Sequence, residues 1–262
     1  MKDFSITQIR TLIDQGKITD AQWDLLGQDG RAGVKALIGR ESRRRSALDK
    51  ARNRREEMME FERELWARGN ALIAGVDEVG VGPLAGPVVA AAVILRPDTS
   101  LLGVDDSKKI PHSRRVELGT QIQAEAVAYA YGHCDPSEID SLNIYQASRL
   151  AMRRAVLALA SHPDHLLVDA RTVPRVQIQQ TSLIRGDSRS LSIAAASIIA
   201  KVERDRRMDE YAREYPDYGF DKHRGYGTAY HLKALDEFGP LPIHRRSFAP
   251  VQDAEIRPQA AN

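Results

Sequence analysis

Among its 262 residues the chain has one cysteine, Cys134, which excludes an internal disulfide and a Cys-based zinc site. Long apolar runs are missing too. The longest, Leu84 to Leu95, contains Gly86 and Pro87 and falls far short of the ~20 residues that cross a bilayer. The opening Met1-Lys2-Asp3-Phe4 carries an acid early and leads into no apolar segment of signal-peptide type. These features predict a soluble, cytoplasmic protein with no membrane partner. A dominant charge of one sign is lacking as well, with 38 Lys and Arg against 36 Asp and Glu. What is present, 42% hydrophobic and 28% charged residues, suffices for the core of one ordinary domain plus an extension. It excludes disorder as the main state.

The near-neutral average conceals a local asymmetry. Arg40, Arg43, Arg44, Arg45, Lys50, Arg52, Arg54 and Arg55 face only Glu41 and Asp49 in the same window. Eight against two leaves that window at +6 and the remainder of the chain at −4. A basic block beside a slightly acidic body fits a phosphate-backbone contact, and equally a solvated helix face.

Three stretches are distinguished. Residues 1–69 read as a helical N-terminal extension, with Ile6, Ile9, Leu12 and Ile13 at amphipathic spacing and a second pattern from Val34 to Trp66. The later half of that pattern is so charged that little of it is expected in a core. Gly69-Asn70 punctuates the chain, and residues 70–250 read as the catalytic body with C-terminal helices, followed by a 251–262 tail. In the body, strands are expected over 71–78 and 87–95, near Ala126 to Tyr131, at Leu166 to Asp169 and over Gln177 to Ile184. Long helices are expected from about Ser137 to Ala160, capped near Asp135 or Ser137, and from about Ser188 to Tyr215. An early hairpin among helices predicts an α/β fold with a mixed, helix-covered sheet.

Acidic residues end two of these strands. Ile73-Ala74-Gly75-Val76 runs into Asp77-Glu78, and Leu166-Leu167-Val168 into Asp169. Neighbouring residues on a strand face opposite ways, so Asp77 and Glu78 converge on one site only if the chain bends there. Asp187 stands just before the second long helix. A solvated turn for the first pair and a helix N-cap for Asp187 are the plain alternatives. If the two strands are neighbours and the helix begins beside them, four carboxylates repel one another in one place, and divalent cations relieve that repulsion. Hard oxygen donors without cysteine favour Mg²⁺ or Mn²⁺ over zinc and suit phosphoryl-transfer chemistry.

Asp77-Glu78-Val79-Gly80 through Gly82-Pro83-Leu84-Ala85-Gly86-Pro87, Asp106-Ser107-Lys108-Lys109, Asp169, Gly186-Asp187, Ile193 to Ile198 and His223-Arg224-Gly225-Tyr226-Gly227-Thr228 occur in that order. Together they resemble bacterial ribonuclease HII over about residues 71–250, and the N-terminal helices resemble, more weakly, an extension carried by some members. The resemblance implies a ribonuclease H-like fold and a monomeric endonuclease acting on RNA·DNA hybrids and on ribonucleotides embedded in duplex DNA. Cleavage 5′ of the ribonucleotide, leaving 3′-hydroxyl and 5′-phosphate ends, and a place in ribonucleotide excision repair belong to the same implication. By that likeness Asp77, Glu78, Asp169 and Asp187 are the catalytic and metal-binding acids, served by Mn²⁺ or Mg²⁺.

Selecting ribonucleotides in any sequence requires sensing the 2′-hydroxyl. Glycines let main-chain groups approach a sugar closely, and Gly80-Val81-Gly82 occupies the place of the family's Gly-Arg-Gly. The guanidinium is absent here, and valine is stiff and disfavours positive φ. Tyr226, between Gly225 and Gly227, is a candidate for lying against a sugar, with a core tyrosine as the alternative. Lys108 and Lys109 are candidate phosphate contacts, or surface lysines. His223 and His231, eight apart, match no common zinc spacing and read as structural or substrate-side. His244-Arg245-Arg246 reads as added positive charge, a backbone contact or plain surface. Three other functions stay open. One is a hybrid-binding module with weakened catalysis, given Val81, and another a junction-resolving nuclease of the same fold. The third is a dinucleotide-binding enzyme, since Gly80 to Ala85 formally fits G-x-G-x-x-A. Two acids before that loop and a strand after it argue against a pyrophosphate site.

Overall fold

The structure, a computed structural model, describes residue 1 and residues 3–256. It contains two compact units, Met1–Arg54 and a second beginning at Arg55.

The first unit holds α1 (Ile6–Asp14), α2 (Asp20–Gly27) and most of α3 (Ala32–Met58). Ser5 with Gln8 and Thr19 with Gln22 form capping boxes that start α1 and α2. Ile9, Ile13, Leu26 and Val34 make its small core. Much of the basic block on α3 is neutralised locally: Glu41 pairs with Arg44 at 2.6 Å and Arg45 at 3.4 Å, and Asp49 with Arg52 at 3.7 Å.

The second unit continues with α4 (Glu60–Ala67), β1 (Ile73–Val79), β2 (Val88–Ile94), α5 (His112–Glu125), β3 (Ala128–Cys134), α6 (Pro136–Leu142) and α7 (Ile144–Leu157). β4 (His165–Asp169), β5 (Gln179–Leu183), α8 (Leu191–Glu214), α9 (Phe220–His223), α10 (Ala229–Phe238) and α11 (Ala249–Ile256) follow. The sheet order is β3-β2-β1-β4-β5; β1 pairs antiparallel with β2 and parallel with β4. β2 is apolar on both faces because both are covered. Val89, Ala91 and Val93 pack with the alanine-rich start of α8, whereas Val88, Ala90, Ala92 and Ile94 pack with Ala147, Ala151 and Ala155 of α7. Gly75 permits the closest approach: a Cβ there would lie 2.0 Å from the Ser192 carbonyl carbon, so α8 begins directly on the β1 backbone. That contact brings the chain just ahead of α8 beside the acid-bearing end of β1.

Several local expectations are corrected. The helix expected over Ser137 to Ala160 is two helices broken at Asn143, whose φ of 69° ends α6 and whose Oδ1 accepts the Gln146 N–H at 3.1 Å to start α7. The α5 helix, with few apolar positions, is an addition to the expected elements, and the expected C-terminal helices take the form of α9, α10 and α11. The charged stretch before Trp66 contributes more core than expected, since Met58, Met59 and Leu65 are buried in the second unit. The Gly69-Asn70 punctuation falls between α4 and β1. Of the expected tail, residues up to Ile256 lie in α11, and 257–262 lie outside the described residues.

Candidate active site

The parallel pairing of β1 with β4 ends at Val76↔Val168. Asp77 and Asp169 are therefore the next residues on two adjacent strands, at the carboxyl ends where open α/β sheets place ligands. Asp187 lies in a 3-10 turn, Gly186–Ser188, ahead of α8. Ser190, not Asp187, caps that helix, accepting the Ile193 N–H at 3.2 Å, which removes the plain N-cap reading. The turn is tied back by the Gly186 N–H, which donates to Asp169 Oδ1 at 2.6 Å. Asp77, Glu78, Asp169 and Asp187 all line one cleft of about 280 Å³, together with Gly80, Val81, Gly82, Lys108 and Tyr226. β1 keeps its antiparallel register with β2 through Val79↔Val89, so the ladder runs unbroken past Asp77 and Glu78.

The electrostatics follow from crowding in a poorly solvated place. Burial, then the charges of Glu78 and Asp169, push the Asp77 carboxyl well above its ordinary range. Burial also raises Glu78, opposed by Arg171 and reinforced by Asp169. Asp187 is raised by burial and by Asp106 and Asp169. Glu78 Oε1 sits 3.3 Å from Arg171 Nε, while its Oε2 is buried with no hydrogen-bond partner. Among the described residues no three acids close into a preformed metal cluster. The orphaned Glu78 oxygen, the raised carboxyls and an all-oxygen donor set nevertheless fit a hard divalent cation.

Residues that the sequence reading passed over complete the site. Ser197 of α8 hydrogen-bonds the Asp77 carboxyl, and its Oγ lies 3.0 Å from Ser107 Oγ. Arg245, read as added charge, is completely buried. It donates to the Gly80 carbonyl at 2.6 Å, to Val81 at 3.0 Å and to Gly86 at 2.9 Å. Arg204 is likewise buried and donates to the carbonyls of Ala85 and Pro87. The glycine loop is thus clamped by two guanidinium groups whose partners are main-chain oxygens. Positive φ falls on Gly80, at 93°, and not on Val81, so valine's aversion to that conformation is not engaged here. Tyr226 is 46% exposed, with its ring edge 3.6 Å from the position of a Gly82 Cβ, which excludes the core-tyrosine reading. Lys109 does not line the cleft; it lies 3.6 Å from Asp105 and 3.9 Å from Asp106. Arg246 is an exposed partner of Glu255.

The histidines are structural. His244 Nδ1 accepts the Leu241 N–H at 2.9 Å, so its proton is on Nε2 and is donated to His231 Nε2 at 2.9 Å. His231 then donates from Nδ1 to the Tyr226 carbonyl at 3.0 Å. Both rings are buried, and burial lowers His231 to about 4 and His244 to about 3. Their folded-state values lie below those of the unfolded chain. Stability is therefore fully present above pH ~6.5 and is lost as pH falls toward the folded values, at about 1.4 kcal/mol per pH unit for each histidine. Urea denaturation midpoints should drop between pH 7 and pH 5, and the drop should shrink in His231→Asn. An equal drop in that variant would remove the pair as its source.

The loop after β1 leads into β2, not into a helix, so the dinucleotide-binding arrangement is absent. The family model of ribonuclease HII matches residues 74–251, and that of the ribonuclease HII N-terminal domain matches residues 5–66. Ribonuclease HII of Geobacillus kaustophilus (strain HTA426) is 51% identical over 253 residues, 97% of either chain. Among solved structures, ribonuclease H2 from Pyrococcus horikoshii OT3 is 25% identical with a TM-score of 0.61, over 70% of this chain and 97% of that one. RNase HII of Archaeoglobus fulgidus, solved as a PCNA complex, is 27% identical with a TM-score of 0.59, over 68% and 95%. The chain belongs to the ribonuclease HII family of endoribonucleases.

Proposed function

We propose that the chain nicks duplex DNA on the 5′ side of an embedded ribonucleotide, and the RNA strand of RNA·DNA hybrids, leaving 3′-hydroxyl and 5′-phosphate ends. The observation that carries this reading is one cleft lined by Asp77, Glu78, Asp169 and Asp187 on one side and by Gly80, Gly82 and Tyr226 on the other. The first set would hold divalent cations, Mn²⁺ or Mg²⁺. Such ions supply Lewis acidity, making water nucleophilic at neutral pH and neutralising charge on the leaving oxygen.

The chain's own residues supply the rest. Main-chain groups of Gly80-Val81-Gly82, held by Arg245, present fixed partners to a 2′-hydroxyl. The Tyr226 ring offers a flat face to the adjacent sugar, at a height set by the His231 bond to its carbonyl. Lys108, which lines the cleft and whose charge opposes the upward shift of Glu78, offers a cation to a backbone phosphate. Ser197 orients Asp77.

A duplex with one ribonucleotide, incubated with Mn²⁺ or Mg²⁺, tests the proposal. Nicking 5′ of the ribonucleotide is expected, with no cut in the all-DNA duplex or in an all-DNA junction. Binding without a nick would instead favour the hybrid-binding module. Val81 lies at the cleft with its carbonyl already engaged by Arg245, so a side chain placed there adds a contact without rebuilding the loop. Val81→Arg should raise kcat/KM about tenfold or more, the worth of one charge-assisted phosphate contact of ~1.5–3 kcal/mol. Steady-state kinetics with no gain would mean that the guanidinium is not missed.

A further inference from the structure

We infer that the face of α7 beside the 170–175 loop is a backbone track for the substrate duplex outside the cleft, with Arg149 and Arg153 as its phosphate contacts. This rests on the nuclease reading above and extends it to the flanking duplex.

The track is continuous with the cleft. Arg171, which lines the cleft, lies with its guanidinium 5.2 Å from the Tyr145 ring centroid, and Arg149 approaches the same ring at 5.5 Å. Tyr145 is half-exposed and stands outside the apolar clusters. Arg149 donates from Nε to the Thr172 carbonyl at 3.2 Å, and Arg153, one turn further on, from Nε to the Arg175 carbonyl at 3.5 Å. In both arginines the inner nitrogen anchors the side chain to the loop, and among the described residues neither terminal nitrogen is engaged. A guanidinium fixed in this way presents its outer fork to a phosphate with little side-chain entropy left to lose.

The charge surroundings single out this face. No Asp or Glu occurs from Ser141 to Pro163 or from Ala170 to Gly186. Arg149, Arg153 and Arg175 accordingly have no carboxylate within ion-pair distance among the described residues. Several basic residues elsewhere do: Arg44 and Arg45 pair with Glu41, Arg154 with Glu138, and Arg206 with Glu203 and Glu210. A nucleic-acid backbone is a partner whose regularly spaced anions suit an unneutralised row on one helix face.

Binding to a duplex carrying one ribonucleotide, measured by fluorescence anisotropy in EDTA over a range of NaCl concentrations, tests the inference. The slope of log K against log salt should become shallower by about one for each arginine removed, hence by about two in Arg149→Gln/Arg153→Gln. Arg149→Lys/Arg153→Lys, which keeps the charges, should retain the wild-type slope, and a thermal melt identifies any variant that fails to fold. Arg206→Gln, a paired arginine on α8, should leave the slope where it was. An unchanged slope in the glutamine pair, or the same change in Arg206→Gln, overturns the track. If the wild type still nicks that duplex in Mn²⁺, the nuclease reading survives this failure; if it does not nick, both fall together.

Discussion

Replacing Asp77 with Asn is expected to abolish cleavage and at the same time to stabilise the metal-free protein. Asp77 is only 6% exposed and carries its charge beside Glu78 and Asp169. Asparagine has nearly the same shape and keeps an acceptor for the Glu78 N–H and for Ser197, so packing is preserved. What disappears is an anionic oxygen from the proposed cation site. A loss of about 4 kcal/mol in transition-state stabilisation corresponds to about a thousandfold in kcat. The stability gain follows from linkage. The folded carboxyl holds its proton to a higher pH than the unfolded one. Metal-free stability therefore falls as pH rises from the ordinary carboxylate range through the folded value. Removing the group removes that slope, and each pKa unit is worth about 1.4 kcal/mol, or a few degrees in melting temperature for a chain of this size. Thermal melts in EDTA at pH 5 and pH 8 check this. A variant that is inactive but melts lower than wild type at pH 8 would show that Asp77 is a fold-supporting residue rather than a strained anion.

Arg245→Ala is expected to destabilise the chain strongly, since the side chain is completely buried. The substitution leaves the carbonyls of Gly80, Val81 and Gly86 buried or half-buried without their donor and opens a cavity where a whole guanidinium stood. Breaking such a buried charged network typically costs about 3–5 kcal/mol, to be read from urea unfolding with an unchanged m-value. In the fraction that folds, the glycine loop loses its clamp, so KM for the ribonucleotide duplex should rise more than kcat falls. Arg245→Lys should restore little, because one ammonium on a flexible stem does not reproduce the fork that spans Gly80, Val81 and Gly86. Wild-type stability in the alanine variant would mean that water replaces the guanidinium at all three carbonyls.

The two clamps illustrate why part of the site was hidden in the sequence. Arg245 follows a histidine, precedes an arginine and sits near the end of the chain, and nothing local distinguishes it from surface charge. Its acceptors lie 159 to 165 positions upstream. His244 and His231 are similar: their spacing excludes a zinc site, but only their mutual hydrogen bond reveals that they hold Tyr226. The arginines of α7 were overlooked for the opposite reason. The block at Arg40 to Arg55 is denser along the chain, yet α3 supplies Glu41 and Asp49 to several of its cations. Charge counted along the chain differs from charge left over after neighbours have paired.

Other features were legible because they are local. Apolar runs ending in Asp77-Glu78 and Asp169 mark strand ends wherever the strands go, since side-chain alternation and burial act over a few residues. Glycines at 80 and 82, the alanine-rich start of α8 and the strand after the glycine loop are of the same kind. The helix break at Asn143 was missed because an asparagine that ends one helix in a positive-φ conformation and caps the next is locally indistinguishable from one that sits within a helix.

By itself, then, the amino-acid order settled which residue types stand where, oxygen donors at strand ends and closely spaced glycines just after the first of them. Tertiary structure alone decided their company: the parallel pairing of β1 with β4 and the seat of α8 on Gly75 bring carboxylates 92 and 110 positions from Asp77 into one cleft. That step rests on packing between distant segments, whose free energy depends on shape and burial at the contact rather than on any pattern either segment carries alone.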